Sequence, residues 1–122
     1  MFIKIVLKVY CKIIIMINKR KIGNTDIEIT EIGMGTAPLG GWPIQVTEGE
    51  ALSTLEKAWE KGIRFFDTAP LYGSGMAEER LGKFLKNINR DECIIASKVG
   101  RLIVENESSK AAEKFKGSPK NK

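Results

Sequence analysis

Three side chains suited to proton chemistry stand at fixed spacings in the middle of the chain: a carboxylate, a phenol and an ammonium. Asp67 opens a six-residue segment that ends at Tyr72, and Lys98 follows 26 residues after the tyrosine. A phenol is a poor acid at neutral pH, with a reference pKa of about 10, and a nearby ammonium stabilises its anion and eases release of the proton. The trio therefore favours proton donation to a carbonyl oxygen.

The residue types that commonly bind metals are scarce. The chain has no histidine, and its two cysteines, Cys11 and Cys93, lie far apart and form no CxxC or Cys/His cluster. We therefore expect no metal site and no disulfide framework. Cys93, followed by two isoleucines, is interpreted as a small buried apolar residue. Unpaired cysteines fit a reducing compartment, and we expect a cytoplasmic protein.

Two helices are predicted around the three side chains. A capping box begins at Thr47, apolar residues recur at helical spacing after it, and Gly62 closes this first helix. The second helix is predicted from Met76 to Leu85, with acidic residues in its first turn, where they favour the positive end of the helix dipole.

The strands are predicted from short apolar runs. A hairpin with its turn at residues 23–26 leads into a first strand over 30–35, and further strands cover 63–66 and 93–97, ending at Asp67 and Lys98. The strand ends near 35, 67 and 98 recur at a nearly constant interval, which is typical of repeated βα units with parallel strands.

Two α/β architectures have such units, the doubly wound sheet and the (β/α)8 TIM barrel. Catalytic groups of barrels lie at the carboxyl ends of several strands and in the loops that follow them. Asp67, Tyr72 and Lys98 all fall at such positions, in two successive units. We therefore predict a TIM barrel, of which the chain holds the N-terminal hairpin and about three βα units.

The composition is ordinary for a globular protein, with 43% hydrophobic and 29% charged residues. The net charge of +5 is unevenly distributed: residues 1–21, 22–109 and 110–122 carry net charges of +6, −5 and +4. Because the middle of the chain is acidic, it has no basic face for nucleic acid, and we expect no nucleic-acid partner.

The two ends differ from the middle. Residues 1–16 are apolar but interrupted by lysines, and are too short and too charged to span a bilayer, which needs about 20 apolar residues. They are an upstream extension with the true start at Met16, a membrane-surface anchor or an extra edge strand; we favour the extension. We expect a non-family extension over 1–18, a barrel part over 19–103 and a polar, disordered tail over 104–122.

From about Arg20 to Arg101 the chain resembles the amino-terminal part of an aldo-keto reductase. Within that superfamily it is most similar to the bacterial aldose and pyridoxal dehydrogenase branch. The resemblance rests on four segments: Gly33-Met-Gly-Thr36, Gly62-Ile-Arg-Phe-Phe-Asp67-Thr-Ala-Pro-Leu-Tyr72-Gly, Glu79-Arg-Leu-Gly82 and Ser97-Lys98-Val-Gly-Arg.

The resemblance implies interconversion of a carbonyl and an alcohol with NADP or NAD, on a small-molecule carbonyl or sugar. It makes Tyr72 the general acid in reduction and the base in oxidation. Lys98 would ease proton release from Tyr72, and Asp67 would pair with Lys98 and approach the nicotinamide ribose. Gly35 and Thr36 match a family segment beside the cofactor. Trp42 either lines a substrate pocket or packs on the rim as a surface aromatic; these alternatives stay open.

The chain also departs from the family pattern. The family's catalytic histidine and its loops for the adenine-side phosphate come later in the family sequence than the segments found here. We therefore expect the 122-residue chain to be inactive alone. The alternative is a non-catalytic gene remnant or interaction module. The sequence predicts no oligomeric state.

Overall fold

The structure is a computed structural model that describes residues 17–100 and residue 103. The expectations for residues 1–16 and 104–122 lie outside the described residues. In chain order the elements are β1 (Lys19–Lys21), β2 (Glu28–Thr30), β3 (Met34–Gly35), α1 (Glu48–Glu60), β4 (Phe65–Asp67), α2 (Met76–Leu85) and β5 (Ile94–Ala96), with 3-10 helices at Ala37–Gly40 and Arg90–Glu92. None of the helices described is long and apolar enough to cross a membrane.

The first strands form the predicted hairpin, in which β1 pairs antiparallel with β2. The single strand expected over residues 30–35 was wrong, because Thr30 belongs to the hairpin and β3 covers only two residues. The buried Thr30 explains the break: its hydroxyl donates to the Ile32 carbonyl at 2.9 Å and accepts from the Arg64 amide at 3.2 Å. These bonds bend the chain between the hairpin and the next sheet.

The second sheet is parallel, with β4 between β3 and β5. Its register aligns Gly35, Asp67 and Ala96 across the three strands. The strands predicted over 63–66 and 93–97 are confirmed as elements, with bounds that differ by one or two residues. The carboxyl ends of all three strands therefore meet at one edge of the sheet.

The helices follow their local sequence signals. The Thr47 hydroxyl accepts the Glu50 amide at 3.2 Å, and the Glu50 carboxylate accepts the Thr47 amide at 2.8 Å, which confirms the capping box. Gly62, with φ of 90°, follows the last turn of α1 as predicted. The bounds of α2 are those predicted from the sequence.

The core lies between the sheet and the two helices. Phe66 is fully buried there, with its ring 6.0 Å from that of Phe84, and Leu55 and Leu81 complete the contact. Since successive side chains of a strand point to opposite faces, Asp67 must point away from this core. The apolar contacts of Phe66 thus decide which face of the sheet carries the site.

Candidate active site

Asp67 stands in the middle of a row of small residues. Its register partners are Gly35 on β3, which has no side chain, and Ala96 on β5, whose methyl group shares its face of the sheet. A Cβ added at Gly35 would meet nothing within 4 Å, and the Asp67 side chain is 43% exposed. The row therefore leaves open space beside the carboxylate, on the face opposite the helices.

Lys98, two residues beyond β5, binds this carboxylate. Its ammonium lies 2.8 Å from Asp67 Oδ1 and 3.1 Å from Oδ2, and it donates to the Thr68 carbonyl at 3.0 Å. The hydrogen bond to Asp67 is the main cause that raises the pKa of Lys98, and the Tyr72 hydroxyl adds a smaller effect in the same direction. The lysine is therefore held as a cation in a fixed position.

Tyr72 joins the pair through its ring. The Lys98 ammonium lies 5.0 Å from the ring centroid, within the range of a cation–π contact. The backbone of the tyrosine is fixed on both sides, because its amide donates to Ala69 at 3.0 Å and its carbonyl accepts the Ala77 amide of α2 at 3.1 Å. Tyr72, although it lies in a loop, is thus held in place by the first turn of α2.

These side chains line an open pocket of about 270 Å³. The walls are mostly apolar and the two polar side chains lie together. Its lining is Ala69, Pro70, Leu71, Tyr72, Lys98 and Val99. Apolar walls with a few convergent polar groups are typical of small-molecule sites.

The remaining predicted site residues take different positions. Thr36 is fully buried, and both its amide and its hydroxyl donate to the Asp67 carbonyl, at 2.9 and 3.0 Å. Trp42 is 73% exposed and does not line the pocket beside Tyr72. The structure thus brings Asp67, Tyr72, Lys98 and Gly35 together, with Thr36 behind them.

No group of three or more His, Cys, Asp or Glu residues in the described part could hold a metal ion.

Sequence reasoning missed four hydrogen bonds around the site. The Thr68 carbonyl receives Lys98, the Ser97 hydroxyl donates to Glu78 at 2.7 Å, and Arg80 donates to two carbonyls of the loop between β3 and α1. Only the Glu79-Arg-Leu-Gly segment, one of the four that carry the family resemblance, marked this region.

The chain is similar in sequence to known proteins of one family. Residues 31–121 match the sequence profile of the Aldo/keto reductase family. The chain is 45% identical over 85 residues to pyridoxal 4-dehydrogenase from Microbacterium luteolum, covering 70% of this chain and 25% of that protein. It is 44% identical over 80 residues to D-threo-aldose 1-dehydrogenase from a Pseudomonas species, covering 66% and 24%.

A solved structure agrees in fold. An aldo-keto reductase from Bacillus halodurans, in its holo form, superposes with a TM-score of 0.64 and 34% identity over 76% of this chain and 29% of that one. The chain spans about a quarter of the length of the curated relatives it matches. The hairpin and the three parallel strands with their helices are thus part of a (β/α)8 barrel, and the chain belongs to the aldo/keto reductase family.

Proposed function

We propose that the chain supplies the proton-transfer site of an NAD(P)-dependent oxidoreductase that interconverts a carbonyl and an alcohol. Family membership supports the reaction class, and the arrangement of Asp67, Tyr72 and Lys98 at one sheet edge supports the assignment of roles. The single observation that carries the proposal is the Lys98 ammonium, held by Asp67 and lying 5.0 Å from the Tyr72 ring.

In the proposed reduction, the Tyr72 hydroxyl donates its proton to the carbonyl oxygen of the substrate. The O–H bond of the tyrosine breaks, a new O–H bond forms on the product, and the phenolate that remains lies beside the Lys98 cation. Asp67 and the Thr68 carbonyl keep that cation in place. In oxidation the phenolate takes the proton back. A positioned acid of this kind contributes about 10²–10⁴-fold to the rate.

The described residues leave room for the nicotinamide end of a cofactor beside Asp67. The space at Gly35 is open, and the half-exposed carboxylate faces it. We propose that Gly35 and Asp67 meet the nicotinamide ribose, while the buried Thr36 acts by holding the Asp67 backbone. When bound, NADP or NAD supplies or accepts the hydride.

We further propose a small aldehyde, ketone or sugar as substrate, since the relatives are named for pyridoxal and an aldose. The pocket beside Tyr72 has the apolar walls that such a ligand would contact. The free, buried Cys93 fits the reducing cytoplasm that we propose for the chain. We propose that residues 19–103 form the barrel part of the chain. Residues 31–103 of this range lie within the segment that matches the family profile, and residues 19–30 precede it.

The test is a chimaera, because the relatives are about four times as long as the matched segment. Residues 19–103 replace the corresponding segment of the pyridoxal 4-dehydrogenase, and oxidation of pyridoxal with NAD and with NADP is followed at 340 nm. We expect the chimaera to turn over, Tyr72→Phe to lower its rate by about 10²–10⁴-fold and the isolated chain to be inactive. A folded chimaera that is inactive, or one indifferent to Tyr72→Phe, would contradict the proposal.

The second candidate is a non-catalytic interaction module. One observation favours it: in the described part of the chain β5 pairs only with β4, so its other edge presents unpaired backbone groups next to the fully exposed Val99. This candidate predicts that the isolated chain binds a partner strand and that Tyr72→Phe changes nothing. NADPH fluorescence distinguishes the two candidate functions. Only the oxidoreductase proposal predicts a change in NADPH fluorescence that is lost when Asp67 is substituted.

A further inference from the structure

Arg80 is a buried cation that serves a loop far from it in sequence. It lies on α2 with 8% exposure, and its guanidinium donates to the carbonyls of Leu39 and, at 3.0 Å, Val46. These carbonyls stand near the two ends of the loop that joins β3 to α1. One planar group with several donors thus bridges both ends of the loop.

The same loop packs directly against the backbone of Tyr72 and Gly73 through Gly40. A Cβ added at Gly40 would lie 2.4 Å from the Tyr72 carbonyl carbon, and one added at Gly73 would lie 2.3 Å from the Gly40 oxygen. Real Cβ atoms essentially never come closer than 3.0 Å to such atoms. The contact is therefore backbone against backbone, with no flexible side chain between to absorb a shift.

The helix that carries Arg80 is also hydrogen-bonded to the tyrosine through its first turn. The Ala77 amide donates to the Tyr72 carbonyl at 3.1 Å, and Arg80 follows one turn later. The contacts therefore close a ring, from Tyr72 through α2 and Arg80 to Leu39 and Gly40, and back to Tyr72. A closed ring leaves the loop and the tyrosine little freedom to move separately.

We propose that Arg80 is a positioning residue for Tyr72, acting through the loop between β3 and α1. What Tyr72 does chemically rests on the function proposed above, whereas the mechanical coupling does not. Misplacement of a reacting group by about 1 Å can cost about 10²-fold in rate. Arg80 would therefore affect catalysis by fixing the position of Tyr72, although it does not touch the tyrosine.

The chain offers a matched control for a merely structural role. Arg64 also donates to two backbone carbonyls, those of Trp59 at 2.8 Å and Ile63 at 2.9 Å. It precedes β4, whereas Tyr72 follows the other end of that strand. Arg64→Lys thus removes comparable bonds without touching the loop that contacts Tyr72.

The test reads the tyrosine ring directly. The chain has only two tyrosines, so Tyr10→Phe leaves Tyr72 as the single site for fluorotyrosine and gives one ¹⁹F signal. We expect Arg80→Lys to shift or broaden this signal while Arg64→Lys leaves it in place, in variants compared at equal distance below their melting temperatures. An unchanged signal in Arg80→Lys, or equal changes in both variants, would overturn the proposal.

A second measurement needs no variant and so remains informative if Arg80→Lys does not fold. Native-state hydrogen exchange of the unaltered chain should show the amides of Gly41, Tyr72 and Ala77 opening with one common free energy, because they belong to one block. Exchange of Gly41 at a clearly lower opening free energy than Tyr72 would overturn the coupling. Neither readout involves a cofactor, so a failure of the proposed oxidoreductase function would appear separately, in the chimaera assay.

Discussion

The Lys98 ammonium donates to both carboxylate oxygens of Asp67, at 2.8 and 3.1 Å, across the carboxyl ends of two adjacent parallel strands. Both side chains are about half exposed, so the pair adds little to the stability of the fold. What it does is fix a positive charge in front of the Tyr72 ring. The following predictions test the site and the elements that hold it.

Tyr72→Phe should remove the proposed proton donor and leave the fold intact. Ring packing is kept and only the hydroxyl is lost, so we expect the chimaera's rate to fall by about 10²–10⁴-fold with an unchanged melting temperature. Thr54→Ala, which also removes a hydroxyl but lies inside α1 and outside the pocket, is the control in the chimaera and should keep full activity. A residual rate near that of the unaltered chimaera would show that another group donates the proton.

Asp67→Asn should lower the pKa of Lys98, because the carboxylate is the main cause that raises it. The measurement is the pH titration of the ¹³Cε signal of Lys98, assigned with Lys98→Arg. An unchanged titration would mean that the carboxylate does not hold the ammonium in solution.

The same shift predicts how stability depends on pH. A lysine whose pKa is higher in the folded chain stabilises the fold fully below its unfolded pKa of about 10.4, and this contribution is lost as pH rises through the folded pKa. Urea unfolding should therefore show a gap between the unaltered chain and Asp67→Asn that is constant near neutral pH and closes above about pH 10. A gap that widens at alkaline pH would contradict this sign.

Gly73→Ala and Gly82→Ala should have opposite effects. Gly73 has a φ of 66° and touches the Gly40 backbone, so alanine there should cost more than the ~1–2 kcal/mol of a left-handed residue. Gly82 lies inside α2 with nothing within 4 Å of an added Cβ, so alanine should stabilise by about 0.4–1 kcal/mol. Denaturant unfolding of both variants checks the contrast, and equal effects would refute the backbone contact.

Thr47→Ala should destabilise the start of α1. It removes the hydroxyl that accepts the Glu50 amide, at a cost of about 0.5–2 kcal/mol. Thr54→Ala is the control, because the Thr54 hydroxyl donates to the Glu50 carbonyl inside the helix, a bond that contributes little or slightly weakens a helix. Equal losses for the two threonines in thermal unfolding would show that the cap is not formed.

The local elements could be predicted because their signals lie within a few residues of one another. The capping box at Thr47, the closing Gly62 and the bounds of α2 all depend on bonds between near neighbours. The family resemblance likewise follows from short motifs. The expected strand over 30–35 failed because Thr30 bonds the Arg64 amide, 34 residues away, which no local pattern records.

The sequence by itself determined the helices, the order of the βα units and the three side chains at the strand ends. Only the tertiary structure decided which face Asp67 uses, since burial of Phe66 among the helices turns the next residue outward. It also decided the Gly40–Gly73 contact and the reach of Arg80 to Leu39. These contacts join residues 33 and 41 positions apart, and strand register and loop closure set such distances, not the identity of neighbouring residues.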